Sequence, residues 1–203
     1  NKFTFWLDQN AKWSDGRPIT AEDVKWTYDV VKAPENLTGP FKVSLERFEA
    51  PVVVDRFTIR FTAKEVHWEN LGAIGSLAIL PRHTFEKLNF NKINFDFPVV
   101  SGPYKLGNFK EGISVTMLHR GDWWQRQAKR NQGTFNFEVI RYKFFGERDN
   151  AYEAFKKGLV DLFPIYTAHR WVNQTKGDKF DKNWIVKQKI YNHKPVGFQG
   201  FAM

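Results

Sequence analysis

The sequence contains no cysteine, which removes disulfides, thiolate nucleophiles and cysteine-ligated zinc from consideration. Its longest apolar run, Leu77 to Leu80, is core-sized and far short of the roughly 20 residues a membrane-spanning helix needs. There are no internal repeats and no low-complexity tracts. Catalytic patterns are equally scarce: no Gly-x-Ser-x-Gly marks a serine nucleophile. The five histidines, His67, His83, His119, His169 and His193, are far apart, and no two have metal-ligand spacing. Adjacent carboxylates such as Glu22 and Asp23 diverge by about 100° around a helix, so they cannot flank one scissile bond. The expectation is a protein that binds rather than catalyses, with no catalytic residues, no metal and no cofactor.

Aromatic residues and positive charge are plentiful. With 42% hydrophobic and 17% aromatic residues in 203, the chain can bury a substantial core, as one large domain or two small ones. The formal charge of +9 would favour acidic partners such as nucleic acid, anionic lipid or acidic peptides. The basic residues are scattered, however, and the tightest group, Arg126 to Arg130, holds only three among polar neighbours. That pattern suits a solvated face better than a phosphate groove. The eight tryptophans could stack on sugars or bases, but Trp6, Trp26 and Trp184 lie in strand or helix patterns, which favours core packing.

Local signals organise the chain. Phe3 to Leu7 reads as a strand. Trp13-Ser14-Asp15-Gly16-Arg17-Pro18 reads as a turn, because Asp-Gly supplies a left-handed backbone position and Pro18 stops strand pairing. Thr20 is a good N-cap, Asp23 stands where a capping-box acid belongs, and Ala21, Val24, Tyr28 and Val31 form one apolar stripe, so a helix starts here and ends by Pro34. Strands are expected over 49–55 and 56–62, with short helices over 68–74 and 84–88. The Asn- and Phe-rich stretch 89–97 marks a domain crossing. Beyond it, strands are expected over 104–109, 114–119 and 136–144, a helix over 150–157 ended by Gly158, a helix near 167–174, and strands over 184–191 and 196–203. Mixed strands and helices in this order imply an α/β or α+β assembly. Both chain ends read as strands, so this is expected to be an internal piece of a longer protein.

The run Trp13-Ser14-Asp15-Gly16-Arg17-Pro18-Ile19-Thr20-Ala21-Glu22-Asp23-Val24 resembles the signature of the family 5 extracellular solute-binding proteins, which serve ABC importers of peptides and related solutes. Ser101-Gly102-Pro103-Tyr104-Lys105-Leu106 and the segment Ala151 to Asp161 follow in that family's order. His119-Arg120-Gly121-Asp122-Trp123-Trp124 looks like a segment that usually carries Arg-Asn, a spacer and Tyr-Trp, with Gly121 and Trp123 as departures. Asn136 to Tyr142 and Gly197 to Phe201 look like the branch that includes oligopeptide and microcin C binders.

The resemblance implies part of a type II periplasmic-binding-protein fold. Residues 1–97 would form its smaller extra subdomain and 98–203 part of the first ligand-binding lobe, with the second lobe lying elsewhere. It also implies a periplasmic protein that captures oligopeptides or peptide-like solutes and hands them to an ABC transporter permease. Along the cleft it places Phe41, Ser101, Gly102 and Tyr104, together with Phe198, Gln199 and Phe201, as candidate ligand contacts. The signature residues Asp15, Gly16, Pro18, Thr20 and Asp23 have turn and cap duties instead. Two other readings stay open: a basic, aromatic-rich nucleic-acid-binding module, and an oligosaccharide binder on the same scaffold. Gly72-Ala73-Ile74-Gly75 matches the bare Gly-x-x-Gly of an RNA-binding loop but lacks positive charge. Having lost half its cleft, the isolated chain is expected to expose apolar surface and to self-associate.

Overall fold

A computed structural model describes residues 1–92 and 99–191. The chain divides into two compact units, residues 1–142 and 143–203; the expected crossing at 97/98 lies outside the described residues.

In the first unit, β1 (Lys2–Trp6), β2 (Val52–Asp55) and β3 (Thr58–Thr62) form an antiparallel sheet ordered β1-β3-β2. Phe3 pairs with Phe61 and Phe5 with Ile59, so this register turns β1's odd-numbered aromatics toward the core. Trp6 therefore points outward and is 76% exposed, contrary to the core packing its strand pattern suggested. Helix α1 (Ala21–Lys32) lays its stripe of Ala21, Val24, Tyr28 and Val31 into the same core, all four side chains buried. Phe61 is the hub, meeting Phe5, Tyr28 and Phe48 edge-on at centroid distances of 6.0, 6.1 and 6.5 Å.

The turn before α1 forms as its residues require. Gly16 adopts φ +87°, its N–H bonds the Trp13 carbonyl at 3.0 Å, and the Trp13 N–H bonds that of Arg17 at 2.8 Å. At the helix start, Asp23 Oδ2 accepts from the Thr20 N–H at 2.9 Å and from its hydroxyl at 3.1 Å. Asp23 Oδ1 also accepts the Arg82 N–H at 3.3 Å, and the Thr27 hydroxyl accepts the Leu80 N–H at 2.9 Å. The cap thus doubles as the anchor for α4 (Arg82–Phe85). Helix α2 (Gly39–Leu45), with Pro40 in its first turn, was not legible in the sequence. Gly72 to Gly75 lie in α3 (Asn70–Gly75) with Ile74 buried, so they form no phosphate-gripping loop.

A second antiparallel pair, β4 (Tyr104–Lys110) and β5 (Ser114–His119), is joined by β6 (Val139–Lys143) in the order β4-β5-β6. Gly107 stands where the β4 register shifts, and a Cβ there would come within 2.7 Å of the Leu118 side chain.

In the second unit, α5 (Arg148–Lys156) stops just before Gly158. Tyr152, Phe155 and Phe163 pack ring on ring, with Phe163 5.3 Å from Tyr152 and 5.9 Å from Phe155. The Tyr152 hydroxyl donates to the Gln174 carbonyl at 2.8 Å, which ties α5 to a π-helical turn over Arg170–Gln174. A short α6 follows (Asp178–Asp181). The strand expected over 184–191 does not form, and Trp184, Val186, Ile190 and Tyr191 are exposed. A segment becomes a strand only when a neighbouring strand completes its hydrogen bonds; among the described residues no strand pairs with this one, and the Ile185 N–H bonds the Lys179 carbonyl at 3.0 Å instead. The strand expected over 196–203 lies outside the described residues.

Candidate functional site

The chain entering β4 and the chain leaving β5 build one another. Arg120, immediately after β5, is 3% exposed. Its backbone N–H donates to the Pro103 carbonyl at 2.7 Å. Its Nη1 donates to the carbonyls of Gly102 at 3.0 Å and Val100 at 3.1 Å. The Trp123 indole N–H takes the Ser101 carbonyl at 3.0 Å. Four consecutive carbonyls, 100 to 103, are therefore all accepting hydrogen bonds. The Val100 N–H donates to the Ser14 hydroxyl at 3.1 Å, which fastens the segment to the turn before α1.

A buried guanidinium needs its charge balanced. Arg120 Nε and Nη2 lie 3.3 and 3.4 Å from the two Asp122 carboxylate oxygens. The hydrogen bond from Arg120 holds the Asp122 carboxyl below its ordinary value, against a smaller opposing effect of burial. At the turn, Asp15 meets the His83 Nε2 at 2.8 Å. Burial pushes Asp15 up, but the Arg17 N–H and the His83 contact together outweigh it and lower its pKa.

The structure brings Ser101, Gly102 and Tyr104 together around Arg120 and Trp123, with all three half-buried. The Tyr104 ring stands edge-on to His119 at 5.4 Å, and its hydroxyl donates to the Phe137 carbonyl at 2.9 Å. Phe41 lies elsewhere: it is 71% exposed on α2 and lines an apolar cavity of about 360 Å³ with Leu37, Leu45, Leu80 and Phe90. None of Ser101, Gly102 and Tyr104 lines that cavity. Phe198, Gln199 and Phe201 lie outside the described residues.

Arg120 is the organising residue that sequence reasoning passed over. Its signal in the sequence is a lone arginine at a strand end with an aspartate two residues on, inside the segment His119 to Trp124. What the arrangement offers chemically is a rigid backbone wall carrying an aromatic ring. Among the described residues, no three His, Asp or Glu side chains are grouped to hold a metal, and no helix is long and apolar enough to cross a membrane.

Known proteins match this chain along nearly its whole length. YejA of Agrobacterium fabrum, named a probable peptide-binding protein, is 33% identical over 97% of this chain and 33% of its own. YepA of the same species, named a peptidoglycan-binding protein, is 30% identical over 98% of this chain and 33% of its own. The chain thus spans about a third of the length of these curated relatives. The crystal structure of AppA from Clostridium difficile superposes with a TM-score of 0.67 at 27% identity, over 78% of this chain and 33% of that one. The fold is accordingly part of a type II periplasmic binding protein. The model of the bacterial extracellular solute-binding proteins, family 5 middle, matches residues 1–202, and the chain belongs to that family.

Proposed function

We propose that this chain is part of the extracytoplasmic solute-binding component of an ABC importer, a periplasmic protein that captures oligopeptides or peptide-like solutes and delivers them to the permease. The observation that carries the peptide reading is the 33% identity, across 97% of the chain, to a relative named as peptide-binding. In this reading residues 1–97 form the smaller subdomain and 98–203 part of the first ligand-binding lobe. The work is ligand-stabilised closure of two lobes, with no bond made or broken.

Ser101, Gly102 and Tyr104 supply one wall of the cleft in this reading, and Phe41, Phe198, Gln199 and Phe201 supply further contacts. The hydrogen bonds from Arg120 and Trp123 support such a role, because a wall whose carbonyls are already engaged loses little freedom when a solute arrives. Aromatic faces tolerate varied side chains, which suits a binder of many peptides. The relative named as peptidoglycan-binding favours a second reading, in which the peptide carries an amino sugar.

The test is native mass spectrometry of the full-length parent purified from the periplasm. Co-released masses spaced by amino-acid residues are expected. Masses with an added amino sugar would select the second reading, and a long nucleic acid or a plain sugar would overturn both.

A further inference from the structure

Beside Tyr104 lies a cavity lined by Trp123 and by residues to which the proposed function gives no part. It has a volume of about 390 Å³ and sits between the end of β5 and the loop leading to β6. The loop is knitted by its own side chains: Asn131 Nδ2 donates to the Gln125 carbonyl at 2.9 Å, the Thr134 hydroxyl to that of Asn131 at 2.7 Å, and Asn136 Nδ2 to that of Gly133 at 2.9 Å. Phe135 is held at φ +55°, in the left-handed region that side chains other than glycine rarely occupy. Its ring meets Trp123 edge-on at 5.1 Å and Tyr104 at 6.3 Å, and the residue remains 42% exposed. Strained backbone of this kind gathers at binding sites, where surrounding contacts over-determine it.

The lining makes complementary demands on a ligand. Among the described residues, the amide oxygens of Asn131 and Asn136 and the carboxylate of Glu138 have no hydrogen-bond donor, and these groups can only accept. Arg126 spends Nη1 on the Gly121 carbonyl at 3.2 Å, and its remaining N–H groups can only donate. Gln132 can do both. These side chains are solvent-accessible, so a ligand that offers donors and acceptors within a small space, as hydroxyl groups do, can replace the water around them. The opposite charges of Arg126 and Glu138 give no preference for a net charge. The exposed Phe135 ring offers an apolar face for the C–H side of a sugar ring.

We propose that this cavity is a second binding site, for a neutral saccharide, with Phe135 as its stacking surface and Arg126, Gln132 and Glu138 reading the hydroxyls. It does not depend on which solute the interlobe cleft carries.

The probes are three neutral disaccharides, cellobiose, maltose and N,N′-diacetylchitobiose, observed by saturation-transfer NMR with the full-length parent. Alanylalanine serves as a zwitterionic counter-probe. At least one disaccharide is expected to bind, with affinity unchanged between about 0.05 and about 0.5 M salt, since a neutral ligand has no charge to screen. Phe135→Gly should lower that affinity about tenfold. Glycine is suited to φ +55°, so this variant keeps its backbone and loses only the ring. Gln132→Ala, at an exposed loop position, is a second variant expected to weaken binding without affecting the fold. No disaccharide binding, binding equally strong in both variants, or binding confined to alanylalanine and lost with salt would each overturn the proposal.

Discussion

Arg120 donates to the Gly102 carbonyl at 3.0 Å from a position 18 residues further along the chain, so the residue that closes β5 also sets the path of the backbone entering β4. Arg120→Leu leaves the carbonyls of Val100 and Gly102 without their donor and should lower stability by about 2–4 kcal/mol. Arg120→Lys should recover little of this, because an ammonium cannot reproduce the planar fork. Urea unfolding of the three proteins measures it, and wild-type midpoints for both variants would show that the contact is dispensable.

Phe61 is 1% exposed and touched edge-on by three other rings. Phe61→Ala should cost about 3–5 kcal/mol, combining lost transfer free energy with the cavity left behind. A loss under about 1 kcal/mol in denaturant unfolding would mean that the core collapses around the gap.

Thr20→Ala removes a hydroxyl that lies 3.1 Å from Asp23. The expected cost is about 1 kcal/mol, with solute affinity of the full-length parent unchanged. A fall in affinity without a fall in stability would move the signature turn from scaffold to site.

Acid should destabilise the fold through Asp15 and Asp122. Both carboxyls have folded pKa values below the ordinary 3.8, so they bind protons less tightly folded than unfolded. Their contribution is complete above that value and is lost as pH falls through the lower folded values. Unfolding free energies measured from about pH 5 down to about pH 2 should decline, and less steeply in Asp122→Asn. A wild-type profile no steeper than the variant's would remove Asp122 from this account.

At the alkaline end, burial and the neighbouring Asp29 raise the Tyr28 pKa from 10.0 to about 12. A raised folded value gives stability that is complete below 10.0 and is lost as pH rises through the folded value. Tyr28→Phe gives up the 3.0 Å hydrogen bond to the Phe48 carbonyl but should lose less stability between pH 10 and about 12. Equal losses in both proteins would show that other groups control alkaline unfolding.

Much of the first unit was legible from neighbouring residues alone. The Asp15-Gly16 turn, the Thr20–Asp23 cap and the stripe from Ala21 to Val31 all arise within a few residues of one another, where spacing and backbone preference decide the outcome. Helix α2 escaped because its seven residues, opening with Gly39 and Pro40, are too few to display a period. The segment 184–191 carries strand-forming side chains, yet strand formation depends on a partner that those residues cannot specify.

For the candidate site, the sequence supplied the two segments, 101–104 and 119–124, but not their relation. Turn chemistry, capping and alternation belong to the sequence by itself, because each is settled by contacts a few positions apart. That Arg120 is buried, and that it and Trp123 occupy every carbonyl from 100 to 103, was decided only by tertiary structure. Pairing β4 with β5 brings the two segments side by side, and a guanidinium buried there must find acceptors wherever the fold puts them.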